Sequence, residues 1–323
     1  MSAPVEPGTM ARSSMSLPRT TDVLRRFFDG DVFYSFSRSP LTMLAFVTTL
    51  AFFVAAIFAP WLAPHDTSDI ASLDLMNAFK TPVWGEYGDP AFPLGTDDQG
   101  RDVLSSIMFG LRISLLVGFA AVILAAVFGT LMGLISGYVG GVVDSVIMRI
   151  ADIQLTFPAI LIALMFDGIV RSVLTTEMAR EFKMTSLILA IAASQWVNFA
   201  RTVRGSTMVE KNKEYVQAAR LIGIHPMKIM LRHVLPNVTG PVLVIGTLSL
   251  AIAILTEATL SFLGVGVPVT NPSLGTLIRI GNDFLFSGEW WMTIFPGVTL
   301  VVLVLAVNLL GDWLRDALNP KLR

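Results

Sequence analysis

The chain has 323 residues, 54% hydrophobic and 15% charged, with a formal net charge of −1 and a mean hydropathy of +0.68. A soluble domain carries about 25% charged residues, so this composition excludes an ordinary soluble globule and points to a bilayer as solvent. The absence of cysteine excludes disulfides and thiolate metal sites and leaves the redox compartment open.

Residues 1–40 scatter Ser, Pro and Arg with no apolar run. They are expected to form a flexible cytoplasmic tail rather than a cleavable signal peptide. Six apolar segments follow, each long enough, or nearly so, for a hydrocarbon core about 30 Å thick. The first, Leu41 to Trp61, is uncharged, and so is the second, Ile113 to Tyr138. Gly129, Gly133 and Gly137 stand four apart in the second. That spacing suits close approach of a neighbouring helix, and simple tolerance of glycine in membrane helices explains it equally well. The third, Ile153 to Phe166, must extend back past Asp152 and Arg149 to span. The fourth runs from Met184 to Ala200, the fifth from Val234 to about Phe262, and the sixth from Trp290 to Gly311. Pro158, Pro241 and Pro296 are candidate kinks.

Lys and Arg set the orientation. Six spans put the tails, Arg149 and the 201–236 loop on one side with sixteen of these residues, against seven on the other. The bias predicts that both termini and the 201–236 loop are cytoplasmic. The 62–111 loop is then external. It contains Leu94-Gly95-Thr96-Asp97-Asp98-Gln99-Gly100-Arg101-Asp102, followed by Gly110-Leu111-Arg112-Ile113-Ser114-Leu115. Asp-Asp-Gln-Gly is turn chemistry, and Arg101 between carboxylates can pair locally; a structural turn and a contact for an external docking protein are both open. Eight acids face only Lys80 and Arg101 in this loop, a field that a basic surface could meet.

The chain is organised around a polar, basic island from Lys213 to Asn237. Its first part, about Glu214 to Leu221, has good helix formers and stops at Gly223, which suits a left-handed cap. A second short helix can begin at Pro226 and run into Leu235-Pro236. On spacing alone, a basic loop lying on lipid headgroups is an equal reading. Further on, Glu257 is the one acid well inside the fifth segment. It is placed toward the external half, either hydrogen-bonded within the bundle, to hydroxyls such as Thr256 or Thr259, or as a possible pathway residue meeting a cationic part of a solute.

Within the island, Ala218, Ala219, Gly223, Leu235 and Pro236 fall in register with the pattern E-A-A-x3-G-x9-I-x-L-P. The stretch resembles that signature of ABC-importer permeases, although Gln217 replaces the acid and His233 the isoleucine. The external block resembles the C-type branch that serves oligopeptide, dipeptide and nickel importers. So does the run Ser261-Phe262-Leu263-Gly264-Val265-Gly266, with Asn271-Pro272-Ser273-Leu274-Gly275 and Phe295-Pro296-Gly297. The resemblance covers the chain from about residue 40 to its end. It implies an all-α integral membrane protein with six transmembrane helices over 41–311, type I ABC-importer permease architecture, and a cytoplasmic tail over 312–323. It implies an ATPase-coupling interface at Glu214, Gln217, Ala218, Ala219, Arg220, Gly223, His225, Pro226 and Lys228. The partners implied are a second homologous permease, two ATP-binding subunits, an external solute-binding protein and the lipid of a bacterial inner membrane, with no nucleic acid.

The sequence contains no G-x4-G-K-[ST], no H-E-x-x-H and no G-x-S-x-G, and His65, His225 and His233 lack metal-site spacing. No cofactor is expected on this chain; ATP and magnesium are expected on the partner ATPases. The reading is a transport subunit without a catalytic site. Di- or oligopeptides are favoured over nickel or another small solute because no His, Cys or Met cluster suits a metal. A stand-alone secondary transporter predicts inverted repeats and more intramembrane ionisable residues than Arg149, Asp152 and Glu257.

Overall fold

A bilayer offers no partner to backbone N–H and C=O groups, so long apolar runs satisfy them internally as helices. The computed structural model, which describes residues 36–67, 74–173, 178 and 182–317, is built on that rule. Among the described residues the one extended pairing is an isolated bridge between Thr96 and Asp102. Residues 1–35 of the expected N-terminal tail, residue 69 among the acids, and 318–323 of the C-terminal tail lie outside the described residues. Residues 41–323 form one compact unit, and it holds the helices that follow apart from Pro40, the first residue of α1.

The helices in chain order are α1 (Pro40–Ile57), α2 (Ala59–Leu62), α3 (Val103–Val139), α4 (Gly141–Leu155), α5 (Ala159–Val173), α6 (Lys183–Glu210), α7 (Glu214–Leu221), α8 (Pro226–Ile229), α9 (Leu235–Phe262), α10 (Leu274–Phe284) and α11 (Trp291–Ala317). Four described stretches are long and apolar enough to cross a membrane: α1, α3, the run from Pro226 to Phe262, and α11. The broken pair of α4 and α5, bent by 94°, passes the same test only when the two are taken together, as one broken span or a re-entrant loop. The third apolar segment is therefore not one helix. Pro158 has no N–H to donate and pushes Phe157 out of helical geometry, so the chain stops and turns there. Along the break runs an apolar groove lined by Ile150, Phe157, Leu161, Met165 and Ala193.

The fourth expected span lies in α6, which does not meet the same test of length and composition. Ser194, Gln195 and Asn198 dilute its apolar run. Its apolar side is instead enclosed by protein, with Trp196, Val197, Phe199, Ala200 and Val203 buried. The neighbour is α3, and the glycine spacing finds its explanation there. A β-carbon on Gly129, Gly133 or Gly137 would lie 2.4, 2.4 or 2.8 Å from the carbonyl oxygens of Trp196, Ala200 and Arg204. Close helix approach, not mere tolerance, accounts for these glycines.

Two elements begin where hydropathy gave no notice. α3 starts at Val103 rather than Ile113 because Asp102 caps it, accepting from the Ser105 N–H at 2.9 Å. α10 is too short to span and is capped by Ser273, whose hydroxyl accepts from the Thr276 N–H at 3.3 Å. It wedges among three helices through small residues: added β-carbons on Gly110, Gly275 and Gly281 would meet Leu274, Ala258 and Met292 respectively.

Candidate functional site

The island from Lys213 folds as a helical hairpin. α7 closes at Gly223, whose φ of +77° is the left-handed region that glycine enters without steric cost. The Ile224 N–H donates to Ala219 O at 3.1 Å and the Gly223 N–H to Arg220 O at 3.0 Å, the paired bonds of a Schellman cap. His225 caps α8, its Nδ1 accepting from the Met227 N–H at 3.3 Å, with Pro226 in the first turn. The second helix does not end at Leu235-Pro236 as expected. It passes through a π-helical turn, Met230–Val234, and continues as α9. Pro236 cannot donate to the carbonyl four residues back and crowds it, and a wider turn relieves both faults.

The inner face of the hairpin is apolar and seated. Val216, Ala219, Ile229 and Val234 are buried with Leu134 of α3, Val203 of α6 and Val238 of α9. Polar groups fasten the rim. Arg220 lies over the Tyr138 ring, 4.9 Å from its centroid, and its Nε donates to the Tyr138 hydroxyl at 3.3 Å. Tyr215 donates to Glu210 at 2.6 Å, and Lys213 pairs with the same carboxylate at 2.6 Å. Burial opposes ionisation of Glu210, but the bonds from Lys213 and Tyr215 outweigh it and hold this carboxyl below its usual range. Burial and Glu210 together push the Tyr215 phenol up to about 12, so it keeps its proton and remains a donor.

The outer face carries most of the expected interface. Glu214, Gln217, Ala218, Arg220, Gly223, His225, Pro226 and Lys228 are exposed, whereas Ala219 is buried inside the hairpin. Between them stand apolar side chains that motif reasoning passed over: Leu221 is 88% exposed, Ile222 76% and Met227 59%. A patch of this kind, ringed by Arg220, His225 and Lys228, has the make-up of a docking surface. The available signal was Leu-Ile beside the turn glycine in an otherwise polar stretch.

Glu257 lies at the far end of α9 and is fully buried. Ser114 of α3 donates to its Oε2 at 2.8 Å and Ser261 to its Oε1 at 2.6 Å. The same hydroxyls accept backbone N–H groups, Ser114 from Leu274 at 3.3 Å and Ser261 from Val267 at 3.2 Å. Thr256 and Thr259, the partners expected from sequence, donate to Ile252 O and Leu255 O of their own helix instead. Glu257 thus joins two motif blocks, tying Gly110–Leu115 to Ser261–Gly275. The Gly95–Asp102 block locks onto the same end. Arg101, 4% exposed, donates from Nε to Asp97 at 2.6 Å and from Nη1 to Val269 O at 3.3 Å, and Trp291 Nε1 donates to Thr96 O at 3.1 Å. Of the two roles open for Arg101, the internal turn is the one its contacts serve.

Residues 129–323 match the family model described as binding-protein-dependent transport system inner membrane component. The chain belongs to that family. Residues 26–82 match a second model, the N-terminal TM domain of oligopeptide transport permease C. Among relatives, the dipeptide transport system permease protein DppC of Escherichia coli K12 is 40% identical over 293 residues, 91% of this chain and 93% of that protein. The di/tripeptide transport system permease protein DppC of Pseudomonas aeruginosa is 38% identical over 290 residues, 90% of each. The fold is shared with the MetNI methionine ABC transporter in an inward-facing conformation, with a TM-score of 0.52 and 17% identity over 66% of this chain and 96% of that one. The first family match takes in the whole hairpin, α9 and α10, so the resemblance drawn from the motif blocks holds.

Proposed function

We propose that this chain is the membrane permease subunit of an ATP-driven importer of di- or oligopeptides, and that the hairpin is its contact with the ATPases. The hairpin carries the proposal: a rigid, seated element with an apolar outer tip, inside the matched family region, in a chain about 40% identical to dipeptide permeases. Six spans with both termini cytoplasmic put the hairpin where ATP is. The bent α4–α5 pair supplies one span and the protein-enclosed α6 another. The chain brings no nucleotide-binding motif, so hydrolysis belongs to two partner ATP-binding subunits. A second permease would complete the pathway, and an external binding protein would deliver the peptide. ATP-driven closure of the ATPases would displace the hairpin as a unit and switch the pathway between outward- and inward-facing states.

Two experiments bear on this. Gly223→Val forces a β-branched residue to positive φ, a cost of about 1 kcal/mol or more. A β-carbon there meets no atom within 4 Å, so the effect comes from the backbone turn and not from a clash. ATPase recovery with the purified permease and ATP-dependent peptide uptake should both fall while membrane insertion persists. Gly223→Asn, which tolerates the left-handed region, should keep most of both. A valine variant with normal uptake would sink the coupling role. Orientation is tested in the cysteine-free background with Asp74→Cys and Lys228→Cys, both at exposed positions. An impermeant thiol reagent added outside should label only the first, and the opposite pattern would invert the topology.

A further inference from the structure

The hydroxyl of Tyr215 sits where three elements meet. It donates to Glu210 Oε2 at 2.6 Å, at the last residue of α6. It accepts from Asn237 Nδ2 at 3.1 Å, in the first turn of α9. The same Asn237 amide donates at 2.7 Å to the carbonyl of His233, inside the π turn. Among the described residues, no other α7 side chain hydrogen-bonds to α6 or to α9. The rest of the seat under α7, Val216 and Ala219, is apolar, and apolar contact is non-directional and yields to sliding.

We propose that Tyr215 is the positioning residue that passes a displacement of α7 to α6 and α9 together. The inference rests on the reading of the hairpin as the ATPase-facing element. A bond to a carboxylate is short and directional, so the Tyr215–Glu210 contact resists the shear that the apolar seat permits. On the other side the π turn, Met230–Val234, is where the Pro226–Phe262 run departs from the regular helical ladder, the kind of site at which helices bend. Asn237 braces it by holding His233 O and Tyr215 at once. Without that brace, movement of α8 is absorbed in the π turn and does not reach α9. The phenol remains protonated at physiological pH, so the latch is in place under working conditions.

The test uses the whole complex, permeases with ATPases and binding protein, in liposomes. Tyr215→Phe removes only the hydroxyl. Recovery of the ATPases and basal ATP hydrolysis should be unchanged, while peptide-stimulated hydrolysis and uptake fall about five-fold or more, the scale of one hydrogen bond to a charged group. Asn237→Ala should fall in the same direction, and the double variant should be no worse than the worse single one, because both remove one linkage. Glu210→Gln keeps an acceptor and should retain most of the coupling. Full stimulation and uptake in Tyr215→Phe would overturn the proposal. So would loss of ATPase binding in that variant, which would make Tyr215 a prop for the shape of the hairpin. The underlying reading fails separately: undiminished ATPase recovery with Ile222→Asp at the exposed tip overturns the hairpin interface, and the latch with it.

Discussion

Replacing Gly133 with leucine is expected to prevent the subunit from reaching a stable, extractable fold. The site lies on the seam between α3 and α6, where an added β-carbon would be 2.4 Å from Ala200 O and 2.9 Å from Val203 Cβ. The first of these is backbone and cannot rotate away. Ordinary overpacking costs about 1–3 kcal/mol, relieved by small side-chain shifts; here relief requires the two helices to part along the row Gly129, Gly133 and Gly137. The same seam carries Arg204, which binds Asp144 at the start of α4 through two bonds of 2.6 and 2.7 Å, so separation also pulls on the α3–α4 turn. Gly133→Ala should show an intermediate loss. Detergent extraction and thermal inactivation of the purified subunit measure both. A leucine variant as stable as the parent would show that α3 and α6 do not pack through this face.

That seam was half legible in the sequence. The four-residue glycine spacing announces a close approach but cannot say to which helix, and a helix that tolerates glycine for no reason looks the same. The turn at Gly223 was legible in full, because helix formers, glycine and Pro226 each act within one or two turns of chain. What failed lay beyond local reach. Pro158 was read as a kink; whether a proline bends a helix or ends it depends on what packs around the freed carbonyls, and here the chain breaks by 94°. α10 escaped notice because a capped amphipathic helix of 11 residues leaves no mark on a search for spans. α6 is less apolar than a lipid-facing span because enclosure by its neighbours lets it carry the buried Gln195, a dependence on packing that hydropathy does not register.

The motif blocks show the same limit in chemical terms. Each was recognisable by itself, but their meeting at Glu257 was not, since Ser114 is 143 residues away in sequence. Thr256 and Thr259 are nearer in sequence and are the partners that a local reading predicts. In a helix, however, a threonine hydroxyl finds the carbonyl four residues back at no conformational cost, and both do so. Ser261, one turn on from Glu257, points along the same face and takes the role.

Glu257→Ala is the second change expected to act strongly, and its contrast with Glu257→Gln separates the two roles open for this acid. Alanine leaves the Ser114 and Ser261 hydroxyls without an acceptor in a buried site, at about 1–3 kcal/mol each, and leaves a cavity as well. The loss should spread, because those hydroxyls also hold the N–H groups of Leu274 and Val267, and with them α10 and the loop before it. Thermal inactivation of the alanine variant should therefore come well below that of the parent, with α10 the first region to exchange its amide hydrogens. Glutamine preserves the shape and one acceptor, and should cost about 1 kcal/mol. If the acid is structural, the glutamine variant assembles and transports every peptide nearly as well as the parent. If it meets a cationic group in the pathway, assembly survives but uptake of peptides with a free amino terminus falls, while amino-blocked peptides are unaffected. The burial of Glu257 and the pairing of both its oxygens favour the first outcome; an unaltered melting temperature in Glu257→Ala would remove the basis for it.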